Sequence, residues 1–272
     1  MNLNAYLARI GVRGPVKPDI DGLRRVHRAH ALSLTYENLD VQLGAPSDRS
    51  AANAFDKIVN RRRGGWCYEM NGLLGWALDE IGFRVTRLAG AVMREKSGDD
   101  VIGNHLVLLV EIDDARFICD VGFGSGPIDP FAMREGPISI GAFNYRLSDL
   151  GSGWWRFTED ERMGAMSYDF NRAVDDEAML ERQCRFLQTD PSSPFMQNAV
   201  LQRWAEDTHY SMRGRVLRIL SPRGENKSLI ETADEYARAV RDVFGVECPD
   251  AQKLWPAIMR RHLEIFESAS AF

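Results

Sequence analysis

The sequence is short of cysteine and histidine, the residues that most often hold metals or form disulfides. Its 272 residues include four cysteines and five histidines. No two cysteines form a C-x-x-C pair, and their spacing matches neither a zinc site nor a disulfide framework. We therefore expect no bound metal. We also expect reduced thiols, which are typical of a cytoplasmic protein.

Long apolar runs and a large excess of one charge are also missing. The longest apolar runs, such as residues 106–110, fall far short of the ~20 residues that a membrane-spanning helix needs. The opening residues 1–11 lack a cationic segment followed by an apolar run, so we expect no signal peptide and no membrane partner. The 34 basic and 39 acidic residues give a net charge of −5, which argues against a nucleic-acid partner.

The chain does contain enough apolar residues for a large core, at 44% of the sequence. Its length fits one large domain or two to three small ones. Apolar residues recur at helical spacing through residues 1–83, where Asp19 is a candidate helix cap. Residues 84–160 change to short strand-like runs bounded by glycine, which are typical of an antiparallel sheet or barrel.

Helical spacing returns at residues 179–187, and a proline-rich joint follows at residues 189–195. After this joint we predict two strands and two helices, at residues 216–220, 227–230, 233–244 and 255–266. The chain is therefore predicted to form three domains, over residues 1–83, 84–190 and 191–272. The sequence leaves open whether the protein is a monomer or a homodimer.

The segment of residues 61–72 places one cysteine behind three arginines and two glycines. A helical pattern follows at once and ends near Gly82, so Cys67 is predicted to lie at a helix N-terminus. Positive partial charge there favours thiolate over thiol. Gly64 and Gly65 lack a Cβ, so the backbone can turn sharply and another group can approach closely. The alternatives are a small buried core cysteine and arginines on a solvated face.

A nucleophilic thiol needs a base and a group that orients the base. If Asp113 and Asp114 form a two-residue turn, Val107 lies opposite Asp120, which makes Asp120 a same-face diagonal neighbour of His105. A carboxylate in the apolar run of residues 117–121 is costly unless it is paired. The alternatives are a strand-end histidine bonded to backbone and an aspartate that caps the next loop.

The other cysteine and histidines near these motifs are expected to be structural. Cys119 precedes Asp120 in the same strand, so it points to the other face and is expected in the core. His27 and His30 lie on a predicted helix and are expected to pack or to face water. Their spacing suits a metal, but no third ligand is apparent.

These motifs resemble the arylamine N-acetyltransferase family. The nucleophile segment, the histidine strand and the aspartate loop all match the family's pattern, and they appear in the family's order. Further matches lie at the start of the chain, in the proline-rich joint and in the helix predicted after it; the match is strongest over residues 6–130 and loose in the C-terminal third. The matching segments are residues 6–11, 36–40, 63–71, 104–106, 120–124, 191–195 and 233–245.

The resemblance implies an α+β fold with a papain-like core. A helical bundle would carry Cys67, an antiparallel β-barrel would carry His105 and Asp120, and a C-terminal α/β lid would close the cleft. The implied reaction is ping-pong transfer of acetyl from acetyl-CoA, through acetyl-Cys67, to arylamines, arylhydrazines or hydrazides. A role in xenobiotic metabolism is also implied.

Substrate contacts follow from the same resemblance. We expect Phe123, Tyr36 and Phe195 to line the acceptor site, and four residues to contact the coenzyme, namely Gly103, Asn104, Gly124 and Gly126. Family members often have Pro-Phe where this chain has Thr35 and Tyr36, so the tyrosine hydroxyl would add a polar point to the pocket.

Three other functions remain open on the sequence alone. A thiol protease or amidase would use the same Cys67–His105–Asp120 triad, since both chemistries begin with an acyl-thiol intermediate. An amide synthase that closes a macrocycle would take a large tethered acyl group. A binding module that retained the fold would have no activated thiol.

Overall fold

A computed structural model gives the fold, and it describes residues 1–45, 47–174 and 176–269. Within the described residues, no helix is long and apolar enough to cross a lipid bilayer. The same residues contain no group of three or more side chains placed to hold a metal ion.

The described chain contains ten α-helices. They are α1 (Leu3–Arg9), α2 (Ile20–Ser33), α3 (Leu39–Gln42), α4 (Ala51–Phe55), α5 (Cys67–Ile81), α6 (Arg94–Ser97), α7 (Glu177–Thr189), α8 (Pro194–Gln197), α9 (Ala233–Arg238) and α10 (Trp255–Ala269). Residues Asp56–Asn60 and Ala239–Val243 extend α4 and α9 as wider π-helical turns.

Thirteen strands make up the described sheets. They are β1 (Tyr36–Glu37), β2 (Arg84–Val92), β3 (His105–Ile112), β4 (Ala115–Cys119), β5 (Phe131–Ala132), β6 (Gly136–Ile140), β7 (Phe143–Gly151), β8 (Trp154–Thr158), β9 (Ser167–Asn171), β10 (Val200–Ala205), β11 (Thr208–Arg213), β12 (Val216–Ser221) and β13 (Gly224–Leu229).

The helices α1, α2, α4 and α5 form the N-terminal bundle. The Asp19 side chain accepts a hydrogen bond from the Gly22 N–H at 2.8 Å, which confirms the predicted cap of α2. Gly82 ends α5 with a φ of 105°, a left-handed value that glycine adopts without strain. Buried side chains of these helices pack against Leu108, Val110 and Cys119, so the bundle lies on one face of the β3–β4 hairpin.

An antiparallel, barrel-like sheet forms the second part, with strand order β5-β4-β3-β2-β9-β8-β7-β6. The register pairs Leu108 with Cys119 and Ile112 with Ala115, so the turn is the predicted pair Asp113 and Asp114. Continued by one residue, this register puts Val107 opposite Asp120, as predicted. Aromatic side chains fill the inner face, among them Phe123, Phe157 and Tyr168.

A second antiparallel sheet has the order β1-β10-β11-β12-β13 and packs against α9 and α10. The sequence prediction included β12 and part of β13 but omitted β10 and β11. It also treated residues 34–41 as an extended or loop segment, whereas Tyr36 and Glu37 pair with Gln202 and Leu201. The fold is α+β, as predicted, while the two boundaries between the three predicted domains remain predictions.

Candidate active site

Cys67 is the first residue of α5 and is 2% exposed. The glycines before it fit closely against β1, since a Cβ on Gly64 would lie 2.0 Å from the Thr35 carbonyl oxygen. The Glu37 N–H donates to the Gly65 carbonyl at 3.0 Å. The group that approaches these glycines is therefore the protein's own strand, which holds the loop before the sulfur.

Buried ion pairs also hold the loop before Cys67. The Arg63 guanidinium bonds to Glu37 at 2.9 Å and to Asp40 at 2.8 Å. The ammonium of Lys57 lies 2.8 Å from Glu69, whose carboxylate also accepts from the Trp66 N–H at 3.2 Å and so caps α5. Arg63 thus helps to hold the turn before Cys67, and it does not lie on a solvated face.

Arg61 and Arg62 differ from Arg63 in exposure. Arg61 pairs with Asp56, and Arg62 pairs with Glu247, and all four side chains are more than half exposed. These two pairs lie at the surface, where ion pairs contribute little to stability.

His105 and Asp120 form a direct pair. His105 begins β3, and its Nε2 lies 2.7 Å from Oδ2 of Asp120, which follows β4. Both side chains are almost fully buried. Because Nε2 is held by the carboxylate, the ring nitrogen on its other side, Nδ1, is the one left for proton transfer.

Asp120 is stabilised as a carboxylate by several donors. Its Oδ1 accepts from the Asn71 amide at 2.8 Å and from the Gly122 N–H at 2.9 Å. Burial acts to raise the pKa of Asp120, but the charge and hydrogen bond of His105, with the Asn71 and Gly122 bonds, keep it below its ordinary value. The pair therefore favours a charged carboxylate beside an imidazole that can accept a proton.

Asn71 was not singled out from the sequence as part of the site. It lies four residues after Cys67, hence on the same face of α5. Its amide donates to the Leu106 carbonyl at 2.6 Å, and its oxygen accepts from the Val121 N–H at 2.9 Å. Asn71 therefore ties the nucleophile helix to both the histidine strand and the aspartate loop. The i,i+4 spacing from Cys67 is the signal that could have identified it.

His27 also belongs to the surroundings of the pair. Its Nδ1 lies 3.1 Å from the Ile128 carbonyl, and its Nε2 accepts from the Asp120 backbone N–H at 3.2 Å. His30 contacts the Tyr6 hydroxyl at 2.8 Å. Both histidines are buried, so packing, rather than exposure to water, is the correct one of the two expected roles.

Gly122 brings the aspartate loop against the start of α5. A Cβ at this position would lie 2.8 Å from the Cys67 Cα and 2.7 Å from the Asn71 amide nitrogen. Contacts this short do not occur for real side chains, so a residue with a side chain would push the aspartate loop away from the cysteine.

The expectation of a lowered thiol pKa from the helix start alone is not met. Burial raises the pKa of Cys67 well above its ordinary value, although N–H groups of Leu106 and Tyr68 hydrogen-bond to the sulfur and act in the opposite direction. Desolvation disfavours an isolated thiolate more than the helix N-terminus favours it. A reactive thiolate here therefore requires transfer of its proton to a neighbouring base.

A cavity of about 910 Å³ opens beside Cys67. Six of the residues predicted for the site line it together: Tyr36, Cys67, Asn104, His105, Phe123 and Phe195. The Phe123 ring contacts the His105 ring edge-on, with centroids 5.6 Å apart. The Phe195 ring packs in the same way against Trp66 at 5.4 Å.

The remaining predicted residues lie beside this cavity. Asp120 lies behind His105, and it lines a smaller neighbouring cavity together with Gly124 and Gly126. The carbonyl of Gly103 accepts a hydrogen bond from the Tyr68 hydroxyl at 2.5 Å, so this carbonyl already has a partner within the protein. Of the four glycine and asparagine positions predicted for the coenzyme, Asn104 is the one that lines the large cavity.

Comparison with known proteins gives a consistent result. A family model described as N-acetyltransferase matches residues 19–253. The arylamine N-acetyltransferase of Mycolicibacterium smegmatis is 34% identical over 257 residues, covering 92% of this chain and 94% of the relative. That of Mycobacterium tuberculosis strain H37Rv is 30% identical over 257 residues, covering 92% and 91%.

Solved structures agree with the sequence matches. The Mycobacterium marinum arylamine N-acetyltransferase in complex with CoA has a TM-score of 0.86 at 33% identity, covering 95% of this chain and 99% of that one. The M. smegmatis arylamine N-acetyltransferase has a TM-score of 0.85 at 33% identity, covering 96% and 98%. The similarity thus extends over nearly the whole chain.

Proposed function

This chain belongs to the arylamine N-acetyltransferase family, and from that premise we propose that it transfers acetyl from acetyl-CoA to aromatic amines, hydrazines and hydrazides. The proposed route is ping-pong, with acetyl-Cys67 as the intermediate. The observation that carries the proposal is the 2.7 Å contact of His105 with Asp120, together with the cavity that His105 and Cys67 both line.

In the first half-reaction, the Cys67 thiol transfers its proton to His105, and the sulfur attacks the thioester carbonyl of acetyl-CoA. The bond from the carbonyl carbon to the CoA sulfur breaks, and CoA leaves with the proton returned by His105. Asp120 holds the imidazole in place and stabilises its charged form. The result is a thioester on Cys67 and free CoA.

In the second half-reaction, the amine nitrogen attacks the acetyl carbon and the bond to the Cys67 sulfur breaks. His105 removes the proton of the attacking nitrogen and returns a proton to the sulfur. Aromatic amines suit this step because they are weak bases and remain unprotonated, hence nucleophilic, at neutral pH.

Both steps place negative charge on the carbonyl oxygen. As the first residue of α5, Cys67 has a backbone N–H that makes no intrahelical bond. We propose this N–H as one donor to the oxyanion. Loss of one such donor typically slows catalysis by roughly 10²–10³-fold.

The cavity residues fit the two substrates. Phe123, Tyr36 and Phe195 are proposed to contact the acceptor ring, since all three line the cavity. Asn104 is proposed to contact the coenzyme there, with Gly103, Gly124 and Gly126 close to its path. The four cysteines are free thiols, which supports the proposed cytoplasmic location. A part in xenobiotic metabolism is proposed from the substrate class.

The test is mass spectrometry after incubation with acetyl-CoA. We expect the mass of one acetyl group on Cys67, removed on adding 4-methylaniline with formation of the N-acetyl product. Cys248 is partly exposed and serves as the internal control, because it should stay unmodified. A hydrolase would instead return acetate without amine, and an enzyme without an activated thiol would take up no acetyl group.

A further inference from the structure

The cavity contains a buried acidic side chain that the proposed reaction does not use. Glu159 follows β8 directly and is 3% exposed. It lines the same cavity as Cys67 and His105. Buried carboxylates are costly unless their surroundings compensate them, so the groups around Glu159 show what the position can bind.

Strand alternation sets the direction of Glu159. Phe157 lies two residues earlier, so the two side chains share a face of the strand. The Phe157 ring packs against Phe123 at 6.0 Å and against Tyr168 at 4.9 Å, on the inner face of the barrel. Glu159 therefore points to the side of the cavity that Phe123 borders, where the acceptor ring is proposed to bind.

The Glu159 carboxylate receives two hydrogen bonds from the protein. The Ser125 hydroxyl donates to Oε2 at 2.5 Å, and the Met166 N–H donates to Oε1 at 3.0 Å. A carboxylate has about four lone-pair positions, so two donors leave room for a further one. Burial raises the pKa of Glu159, and the Ser125 and Met166 bonds oppose that increase. A further donor would stabilise the charged form.

Apolar and polar side chains share the cavity lining with Glu159, and the charge of Arg218 also acts to lower the Glu159 pKa. Met163 and Met166 line the same region, and Ser125 is already bonded to the carboxylate. Among the described lining residues, the other acid is Asp100, which is exposed. Glu159 is thus the buried acid among the described lining residues, beside aromatic and methionine side chains, an arrangement that can orient one donor group of a ligand.

We propose that Glu159 accepts a hydrogen bond from the acceptor substrate, and that the protein selects aromatic amines carrying a second donor group on the ring. A hydroxyl or amino group placed away from the reacting amine would reach Glu159 while the amine faces Cys67. A carboxylate on the ring would meet Glu159 as a like charge and be disfavoured. This inference rests on the proposed function, because that function makes the cavity an acceptor site.

The test measures binding without turnover, by calorimetry on the Cys67→Ser chain. The ligands are 3-aminophenol and 4-aminophenol, with 4-methylaniline as the isostere that lacks the donor and 4-aminobenzoate as the anionic probe. We expect the better aminophenol to bind about tenfold more tightly than 4-methylaniline, the size of one hydrogen bond to a charged group. That ratio should fall to near one when Glu159→Leu is added and to an intermediate value when Glu159→Gln is added, because the amide oxygen still accepts but carries no charge, while 4-aminobenzoate binds more tightly in both.

Asp160→Asn is the matched control. Asp160 is the next residue and is 5% exposed, but it bonds to Arg162 and to the Asn144 N–H and is not among the lining residues. Its replacement disturbs the same segment and should leave the ratio unchanged. If Glu159→Leu fails to fold, Glu159→Gln carries the test, since it keeps the side-chain shape.

The outcomes separate this inference from the proposed function. An unchanged ratio in both Glu159 variants, or an equal loss in Asp160→Asn, overturns the role of Glu159 even if acetyl transfer occurs. A ratio that depends on Glu159, together with a parent chain that takes up no acetyl group on Cys67, overturns the proposed function and leaves the binding role intact.

Discussion

The loop before Cys67 and the His105–Asp120 pair have their buried charges stabilised in different ways. Beside the nucleophile loop, two cations contact three carboxylates, so opposite charges compensate one another. The five side chains are Lys57, Arg63, Glu37, Asp40 and Glu69. In the His105–Asp120 pair, Asp120 accepts hydrogen bonds from the neutral donors Asn71 and Gly122 and contacts His105.

The two kinds of stabilisation indicate a structural role for the charged cluster around Lys57 and a chemical role for His105. Burial acts to lower the pKa of Lys57, but Glu37, Glu69 and Asp40 raise it above its ordinary value, so this cation stays charged at any working pH. His105 has a partner that tolerates its charged and its neutral form. The charged cluster of Lys57 and Arg63 fixes the position of the sulfur, and the His105–Asp120 pair can gain and lose a proton.

The largest expected effect comes from Asp120→Asn. The amide keeps the shape but removes the charge that stabilises a protonated His105. We expect the rate of Cys67 acetylation to fall by about 10³–10⁴-fold, as for other triad members. Stopped-flow detection of CoA release measures it. Asp129→Asn, which breaks a surface pair with Arg28, is the control and should keep the parent rate. Equal rates in both variants would show that the pair is not catalytic.

The next largest effect concerns the charged cluster of Lys57 and Arg63 and is seen in the free energy of unfolding. Arg63→Met leaves Glu37 buried with its main partner gone, which should cost about 3–5 kcal/mol of unfolding free energy. Arg61→Met breaks an exposed pair with Asp56 and should cost less than about 1 kcal/mol. Urea unfolding at pH 7 compares the two. Similar losses would contradict a structural role for the buried cluster.

Asn71→Ala tests the link between helix α5, which carries Cys67, and the His105–Asp120 pair. It removes the amide bonds to Leu106 and Asp120 and leaves buried groups unsatisfied, at about 1–3 kcal/mol of stability. Acetylation of Cys67 should also slow, because the carboxylate loses an orienting donor. Asn60→Ala removes an exposed bond to Asp56 and should change neither quantity. A loss of stability at the parent acetylation rate would mean that Asn71 only supports the fold.

The smallest effect is a pH dependence of stability. Since the pKa of Asp120 is lowered by folding, its stabilising contribution is complete above the ordinary value of about 3.9 and is lost as pH falls through the folded value. The difference in unfolding free energy between the parent chain and Asp120→Asn should therefore shrink below about pH 4. Urea titrations at several pH values measure it. A constant difference would mean that the charge of Asp120 does not stabilise the fold.

Features that depend on nearby residues were predictable from the sequence. The helix after Cys67 and its end at Gly82 follow from local apolar spacing and glycine. The pairing of His105 with Asp120 follows from strand alternation across a two-residue turn, and the structure shows the same register. The cysteine, histidine and aspartate were recognisable because each lies in a short motif of its own.

Features that depend on distant residues were not predictable in this way. His27 contacts the backbone of Asp120 from 93 positions away, and nothing in its helix indicates that partner. Strand β10 mixes Gln202 and Arg203 with apolar residues that pack on both faces of its sheet, Leu201 towards α9 and α10 and Trp204 towards the barrel, so no regular alternation marked it as a strand. The high pKa of the Cys67 thiol likewise follows from burial, which tertiary packing creates.

Strand β1 has a consequence for how the protein matures. Tyr36 bridges to Gly65 in the nucleophile loop and pairs with Gln202 in the second sheet. Contacts so far apart in sequence form late, after long chain segments have closed. During synthesis, the loop before Cys67 cannot gain its full support until residues beyond 202 leave the ribosome. We therefore expect no acetyl uptake at Cys67 in the nascent N-terminal part, and acetyl uptake to appear only when the chain is nearly complete.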